Sequence, residues 1–347
     1  MPFNQHIIDN PRSERVRRVT ELEKTKGRRK SGKFLIEGPQ SVREVVRWMP
    51  DVVEDCYVQT DERQSRLLST VVDDIAREAD EAGLYIHQVT SDVMHRMSTD
   101  AQGIVAVGNL GAVQRRMAQG FEGREATGSE HAEVVHNVAT RGTEIRSAIA
   151  NDFEADNVTS KEIAHSTWNS GNPDSSGGTV AAFWQIRDPG NAGTVIRSAD
   201  AAGCHAVIFV SDCVDRFNPK VIRSTAGSLF HLPVVTMSTD EFFEWAAQQH
   251  REVIAADVYG TPTLKPESLI DVVEECSSAT DGDGNDEPAT AILFGNEARG
   301  LPADILQRVE RIVSIPLYGK AESLNLATST AVMLFSLAMA RDAAQRR

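Results

Sequence analysis

The sequence predicts an α/β architecture in two parts: a smaller layered α/β domain, then a parallel sheet with helices on both faces. Three observations carry this. From Val180 onward, short apolar runs and helix-period segments alternate strictly, which implies parallel strands joined by crossover helices. A second alternation fills roughly 12–110. Between them, from about Ala112 to Gly178, Gly, Ser, Thr, Asn, Asp and Glu dominate and apolar periodicity weakens. Such a composition buries too little apolar surface to offset the entropy of ordering. The expected organisation is therefore 12–110, a polar linker over 111–178 with a helix around Glu130–Ala150, and 179–347. A chain of 347 residues with 41% hydrophobic content has room for two ordinary domains.

The first part opens with a helix from Ser13 to about Lys26, where Val16, Val19 and Leu22 share a face. Gly27 and the Arg28–Gly32 turn should end it. A short buried strand follows at Phe34–Gly38, then a helix over Gln40–Trp48 that stops before Pro50. A strand near Val52–Val58, a long helix from about Ser65 to Ala82, a strand at Leu84–Val89, a short helix at Ser91–Met97 and a strand at Gly103–Val107 complete it. The second part reads as strand 180–186, helix 192–202, strand 206–210, helix 219–229, strand 232–237, helix 240–250 and strand 252–258. After an acidic, glycine-rich loop at 277–290 come strand 291–294, helix 302–309, strand 311–317 and a last helix from about Leu324 to Ala344. The acidic loop lacks the spacing and closing glutamate of an EF-hand.

Charge is uneven. The net charge of −14 argues against wholesale attraction of a polyanion. Between Arg12 and Lys33, however, ten Lys and Arg residues face only Glu14, Glu21 and Glu23. Arg28, Arg29, Lys30 and Lys33 are the candidate phosphate contacts of that run, although charge runs are more often solvated helix faces. The four cysteines show neither CxxC pairing nor zinc-ligand spacing and read as reduced thiols; no metal site is expected. Neither a signal-peptide core nor a run of about 18 apolar residues is present, so the expectation is a cytoplasmic protein with no membrane partner.

Chemistry concentrates in three segments, each a small-residue turn after an apolar run: DPGNAGTVIRSADAAG (188–203), ILFGNEARGLP (292–302) and IPLYGKAESLNLATSTA (315–331). Open α/β sheets bind ligands at the carboxyl ends of their strands, which is where these turns belong. From the residues alone, Asn191 reads as a helix N-cap, Arg197 as a solvated side chain, and Ser323 as a second N-cap. The stripe Leu326, Thr330, Met333, Leu334, Leu337 suits a core or a dimer interface. No G-x-G-x-x-G follows the first strand, which disfavours a dinucleotide or Rossmann methyltransferase site.

Taken together, the three segments resemble the signature of the SpoU (TrmH-type) branch of the knotted RNA methyltransferases. NPKVIRSTAGSLFHLPV (218–234) adds to the likeness, and RRKSGKFLIEGPQSVREV (28–45) with GIVAV (103–107) resembles the L30e-like substrate-binding domain that precedes the catalytic domain in many of them. The resemblance implies a trefoil knot, a homodimer, S-adenosyl-L-methionine as cofactor and methylation of a ribose 2′-hydroxyl in structured RNA. Ribosomal 23S RNA is favoured over tRNA, with a catalytically silent RNA-binding protein as the alternative from another class. It further implies catalytic roles for Asn191, Arg197, Glu297, Ser323 and Asn325, and cofactor contacts at Gly295, Ile315, Leu317 and Leu324. Whether Arg197 serves as base or phosphate anchor stays open, but a guanidinium that is always protonated fits the anchor better.

Overall fold

The computed structural model describes residues 3–61, 66–67, 69–125, 178–278 and 289–346. The expected helix at Glu130–Ala150, most of the linker and most of the acidic loop lie outside these residues. The chain forms two compact units: Met1–Arg116 with Ala192–Arg197 and Val214–His231, and Met117–Asn191 with Ser198–Cys213 and Leu232–Arg347.

In the first unit, helices α1 (Glu14–Glu21), α2 (Thr25–Ser31), α3 (Pro39–Trp48), α4 (Thr70–Glu81) and α5 (Ser91–Met97) accompany strands β1 (Phe3–Ile8), β2 (Lys33–Glu37), β3 (Val53–Asp61), β4 (Arg66–Leu67), β5 (Ile86–Val89) and β6 (Ile104–Asn109). The strands form one mixed sheet in the order β1-β5-β3-β6-β2, with β4 on β3. Caps fix the helix starts: Ser69 and Thr90 accept from the backbone amides of Val72 and Val93. Val16, Val19 and Leu22 of α1 bury against Leu35, Tyr57, Val93, Met97 and Val105. Burying each such side chain fully is worth roughly 1.5–3 kcal/mol.

The basic segment differs from its expected form. The helix breaks after Glu21, and Thr25–Ser31 winds as a second helix closed by Gly32 at φ +65°. Arg28 is the reason. Its guanidinium donates to the carbonyls of Leu22 and Glu23, both at 2.9 Å, and so satisfies the end of α1 from outside.

Segment Val214–His231 completes this unit. It carries α8 (Pro219–Ser224; α6 and α7 are defined below), which Asn218 caps. Phe217 packs its ring 5.0 Å from that of Phe34. Arg223 donates to Glu37 at 3.0 Å and pairs with Asp100 at 2.8 Å. Glu37 is 4% exposed, and burial, opposed by the Ser98 hydrogen bond and Arg223, pushes its carboxyl above the ordinary range. A raised folded-state pKa gives a contribution to stability that is full below the ordinary carboxylate value of about 4.3 and is lost as pH rises through the raised value. Urea unfolding monitored from pH 4 to 7 should therefore show this loss, and Glu37→Gln should flatten it.

In the second unit, α6 (Leu110–Glu125) enters from β6. It occupies residues expected to begin the linker, and Phe121 on it packs 5.4 Å from Trp245. Then come β7 (Val180–Trp184), α7 (Pro189–Ala201), β8 (Ala206–Val210), β9 (Val234–Met237), α9 (Thr239–Gln248), β10 (Glu252–Ala256), β11 (Glu267–Ser268), α10 (Leu269–Ser278), β12 (Thr290–Phe294), α11 (Ala303–Leu306), β13 (Arg311–Ser314) and α12 (Leu326–Gln345). The seven strands order as β11-β13-β10-β12-β7-β8-β9, and each neighbouring pair is parallel. Every residue of β8 and β12 is buried, so both faces of the sheet are covered, as a parallel sheet requires. Because β7, β12 and β13 run the same way, the three turns that follow them open on one edge. Strand β7 stops two residues short of expectation, where Gln185 turns the chain at φ +53°. Strand β13 stops before Pro316, which has no amide to continue a ladder.

Candidate active site

Helix α7 begins differently from the expectation for Asn191. Its N-cap is Asp188, whose Oδ1 accepts from the Asn191 amide at 2.7 Å, and Pro189 occupies the first turn. The Asp-Pro pair was the available signal, since proline at the first helical position follows an N-cap. The consequence is chemical: Asn191 spends its backbone amide on the cap and keeps its side-chain amide free.

The turn after β12 is a closed loop. Asn296 and Gly300 exchange backbone hydrogen bonds at 3.1 and 2.8 Å. This brings the Gly300–Leu301 backbone against Gly295, where a Cβ would stand 2.4 Å from the Gly300 carbonyl carbon. Gly295 is thus a close-approach glycine. Asn296, which sequence reasoning passed over, anchors the loop by donating from Nδ2 to the Gln185 carbonyl at the end of β7, 2.7 Å away. Glu297 projects from the loop, exposed.

After β13 the chain runs extended to α12, whose N-cap is Asn325: its Oδ1 accepts from the Ala327 amide at 2.9 Å. Ser323, expected in that role, is exposed and does not cap the helix. The cap lies two residues further on because the helix itself begins later.

The three turns meet through one residue. Asn191 Nδ2 donates to Glu297 Oε1 at 3.3 Å, and Asn325 Nδ2 donates to Asn191 Oδ1 at 3.2 Å. Both distances sit at the long end of the N–H···O range, as in sites that tighten only when substrate arrives. An amide offers two donors and two acceptor lone pairs, so one of each remains on Asn191. Glu297 keeps its second carboxylate oxygen and Asn325 a second N–H. The cluster is a small polar platform with directions left to spend.

Arg197 lies six residues beyond Asn191 on α7, about 240° further round the helix. It is exposed, and among the described residues nothing hydrogen-bonds or ion-pairs with it. One turn earlier, Gly193 packs against α8 so closely that a Cβ would lie 2.3 Å from Ser224 Cβ and 2.7 Å from the Val221 carbonyl oxygen. Gly193→Ala should destabilise by about 1–3 kcal/mol through overpacking, measurable as a lowered midpoint in urea.

For a cofactor with an adenosyl group the fit lies after β13. Ile315, Pro316, Leu317 and Leu324 are half-buried. Among the described residues, no backbone group from Leu317 to Leu324 makes an intramolecular hydrogen bond. Half-buried apolar side chains edged by unspent backbone donors and acceptors are what an adenine needs.

Of the expected phosphate contacts, Arg29 and Lys30 are exposed, and Lys33, 40% exposed, pairs with Glu54 at 2.5 Å. Arg28 is a correction. It is 1% exposed, and its five N–H groups serve the Leu22 and Glu23 carbonyls, Thr25 Oγ1 and, twice, Asp215 Oδ2. No donor is left for a phosphate.

Burial pushes the thiols of Cys56, Cys204 and Cys213 up to about 12, so none is a poised nucleophile. Among the described residues no cluster of three or more His, Cys, Asp or Glu could hold a metal, and no helix is long and apolar enough to cross a membrane.

Comparison with known proteins gives consistent matches. A family model described as the SpoU rRNA Methylase family matches residues 178–335, and one described as an MRM3-like substrate binding domain matches 13–106. The 23S rRNA (guanosine(2553)-2'-O)-methyltransferase RlmP of Bacillus subtilis is 34% identical over 152 residues, covering 44% of this chain and 54% of that protein. An uncharacterised tRNA/rRNA methyltransferase of Synechocystis is 32% identical over 205 residues, covering 59% of this chain and 68% of that protein. The chain thus spans about half the length of the first of these relatives and two thirds of the second. The crystal structure of an AdoMet-bound rRNA methyltransferase from Sinorhizobium meliloti superposes with a TM-score of 0.62 at 21% identity, over 97% of this chain and 98% of that one. At that identity the likeness is one of fold.

Proposed function

The chain belongs to the SpoU rRNA methylase family, and from that membership we propose that it methylates a ribose 2′-hydroxyl of structured RNA, 23S rRNA rather than tRNA, using S-adenosylmethionine. The observation that carries the reading is the meeting of Asn191, Glu297 and Asn325, one from each of three turns on one edge of a parallel sheet.

When bound, the cofactor supplies an electrophilic methyl group on a sulfonium. What the chain must add is mostly position, because in-line geometry between bound reactants is worth several kcal/mol of the barrier. Gly295, Ile315, Leu317 and Leu324 would hold the adenosyl group, largely through backbone. Asn191, locked by its two neighbours, would direct its remaining donor and acceptor to the substrate. Glu297 and Asn325 brace Asn191, and exposed Ser323 is free to reach the ligand. Arg197 would bind the phosphate beside the target ribose with its planar donor fork and so orient the hydroxyl. Arg29, Lys30 and Lys33 would add phosphate contacts that weaken with salt.

The reading includes a knotted C-terminal unit, a cytoplasmic location and a homodimer. Support for the dimer comes from α12. Its inner stripe of Leu326, Thr330, Met333, Leu334 and Leu337 is buried within the chain, while Val332, Phe335 and Met339 are 38%, 37% and 62% exposed. Light scattering should give twice the chain mass.

The deciding experiment supplies labelled S-adenosylmethionine and total RNA from cells lacking the protein, then separates ribosomal from transfer RNA. Label in 23S rRNA, resistant to alkali at one nucleotide, supports the reading. Label in tRNA moves the substrate, and absence of label with RNA binding retained identifies a silent RNA-binding protein.

A further inference from the structure

We propose that Arg223 is a positioning residue for the transfer, connecting the N-terminal sheet to the turn of α7 that carries Arg197. The proposal rests on the role given to Arg197 above.

Arg223 ends α8, a helix of six residues whose own hydrogen bonds hold it weakly. External contacts must fix it. Its guanidinium bridges two carboxylates of the N-terminal unit, Glu37 at 3.0 Å and Asp100 at 2.8 Å. Glu37 is 4% exposed and held on its other oxygen by the Ser98 hydroxyl at 2.5 Å, so it cannot follow a moving partner. The ends of the same segment are also fastened: Asp215 by Arg28, and His231 by Glu44 at 3.2 Å. Arg223 pins the middle.

The opposite side of α8 meets α7. Val221 and Ser224 lie against Gly193 with no side chain between them. Gly193 and Arg197 are four residues apart, hence on one face of α7, one turn above the other. A tilt of α8 therefore displaces the turn that carries Arg197. On this arrangement the N-terminal domain does more than bind RNA: through Glu37, Asp100 and Arg223 it sets the place of the substrate-orienting guanidinium.

The test compares single-turnover methylation at saturating RNA and S-adenosylmethionine, alongside RNA affinity, cofactor affinity and melting temperature. Arg223→Gln should slow the transfer step roughly tenfold to a hundredfold, the scale of a misplacement near 1 Å, with both affinities unchanged. Arg223→Lys, which can still bridge the carboxylates, should recover most of the rate. Arg223→Gln also leaves Glu37 buried and unpaired, so the double variant Glu37→Gln/Arg223→Gln separates stability from position. It should regain melting temperature and stay slow. A wild-type rate in Arg223→Gln, or a rate that returns with stability in the double variant, overturns the proposal. If wild-type protein transfers no methyl group at all, the functional reading has failed first, and this proposal falls with it.

Discussion

Arg197→Ala is expected to lower single-turnover methylation at saturating RNA by roughly 10²–10³-fold, the usual cost of removing one preorganised donor from an active site. The expectation follows from what surrounds the side chain. Arg197 is exposed, and no described residue pairs with it, so removing it leaves no buried partner behind and the fold should be unaffected. A long cation with five donors and no internal partner is available for a ligand, and phosphate is the group its fork matches. Arg197→Lys separates charge from geometry. An ammonium keeps the attraction to phosphate but not the two parallel hydrogen bonds, so RNA affinity should largely survive while the transfer step stays slow. An alanine variant that binds RNA weakly yet transfers at the wild-type rate once saturated would reduce Arg197 to a binding residue. Because guanidinium does not titrate near neutrality, the rate of wild-type protein should show no inflection attributable to this residue between about pH 6 and 9.

The strands were the most legible part of the fold, for a physical reason. A strand covered on both faces has no polar alternation to maintain, and AVIFV (206–210) and TAILF (290–294) are buried at every position. Boundaries suffered where local geometry, not hydropathy, stops an element, as at Gln185 and Pro316. Three elements were passed over. Phe3–Ile8 and Glu267–Ser268 lie at the two sheet edges, where pairing with one neighbour needs little apolar sequence. Helix α6 was folded into the linker although Val113, Met117 and Phe121 recur at four-residue spacing and are buried; Gly111 and Gly120 concealed the pattern.

Within the site, residue types and strand-to-turn context identified Asn191, Glu297 and Asn325, but not which atom does what. Asn191 and Ser323 were both read as caps because Asn and Ser cap well. The structure gives those tasks to Asp188 and Asn325, releasing Asn191's amide for the meeting point of the loops. Asn296 was unreadable for a different cause: its partner is the Gln185 carbonyl, 111 residues earlier, and no local pattern encodes such a contact.

The same distance effect explains Arg28, and it yields the largest expected loss of stability. One arginine in a run of ten basic residues looks like its neighbours, yet its carboxylate partner Asp215 stands 187 positions away. Breaking a buried pair costs about 3–5 kcal/mol, because the remaining group stays behind unpaired. Arg28→Ala strands Asp215 and also the Leu22 and Glu23 carbonyls at the break between α1 and α2. Asp215 is itself 31% exposed, which places the expected cost near the lower figure. Arg28→Lys should recover little, since a single ammonium cannot serve two carbonyls, a hydroxyl and a carboxylate spread over a planar fork. The reading against which this competes is a surface RNA contact. That alternative predicts an unchanged melting curve and a weaker salt dependence of RNA binding, about one phosphate fewer. A buried pair predicts the reverse: a melting transition lowered by roughly 5–10 °C and, in protein kept below it, a salt slope equal to that of the wild type.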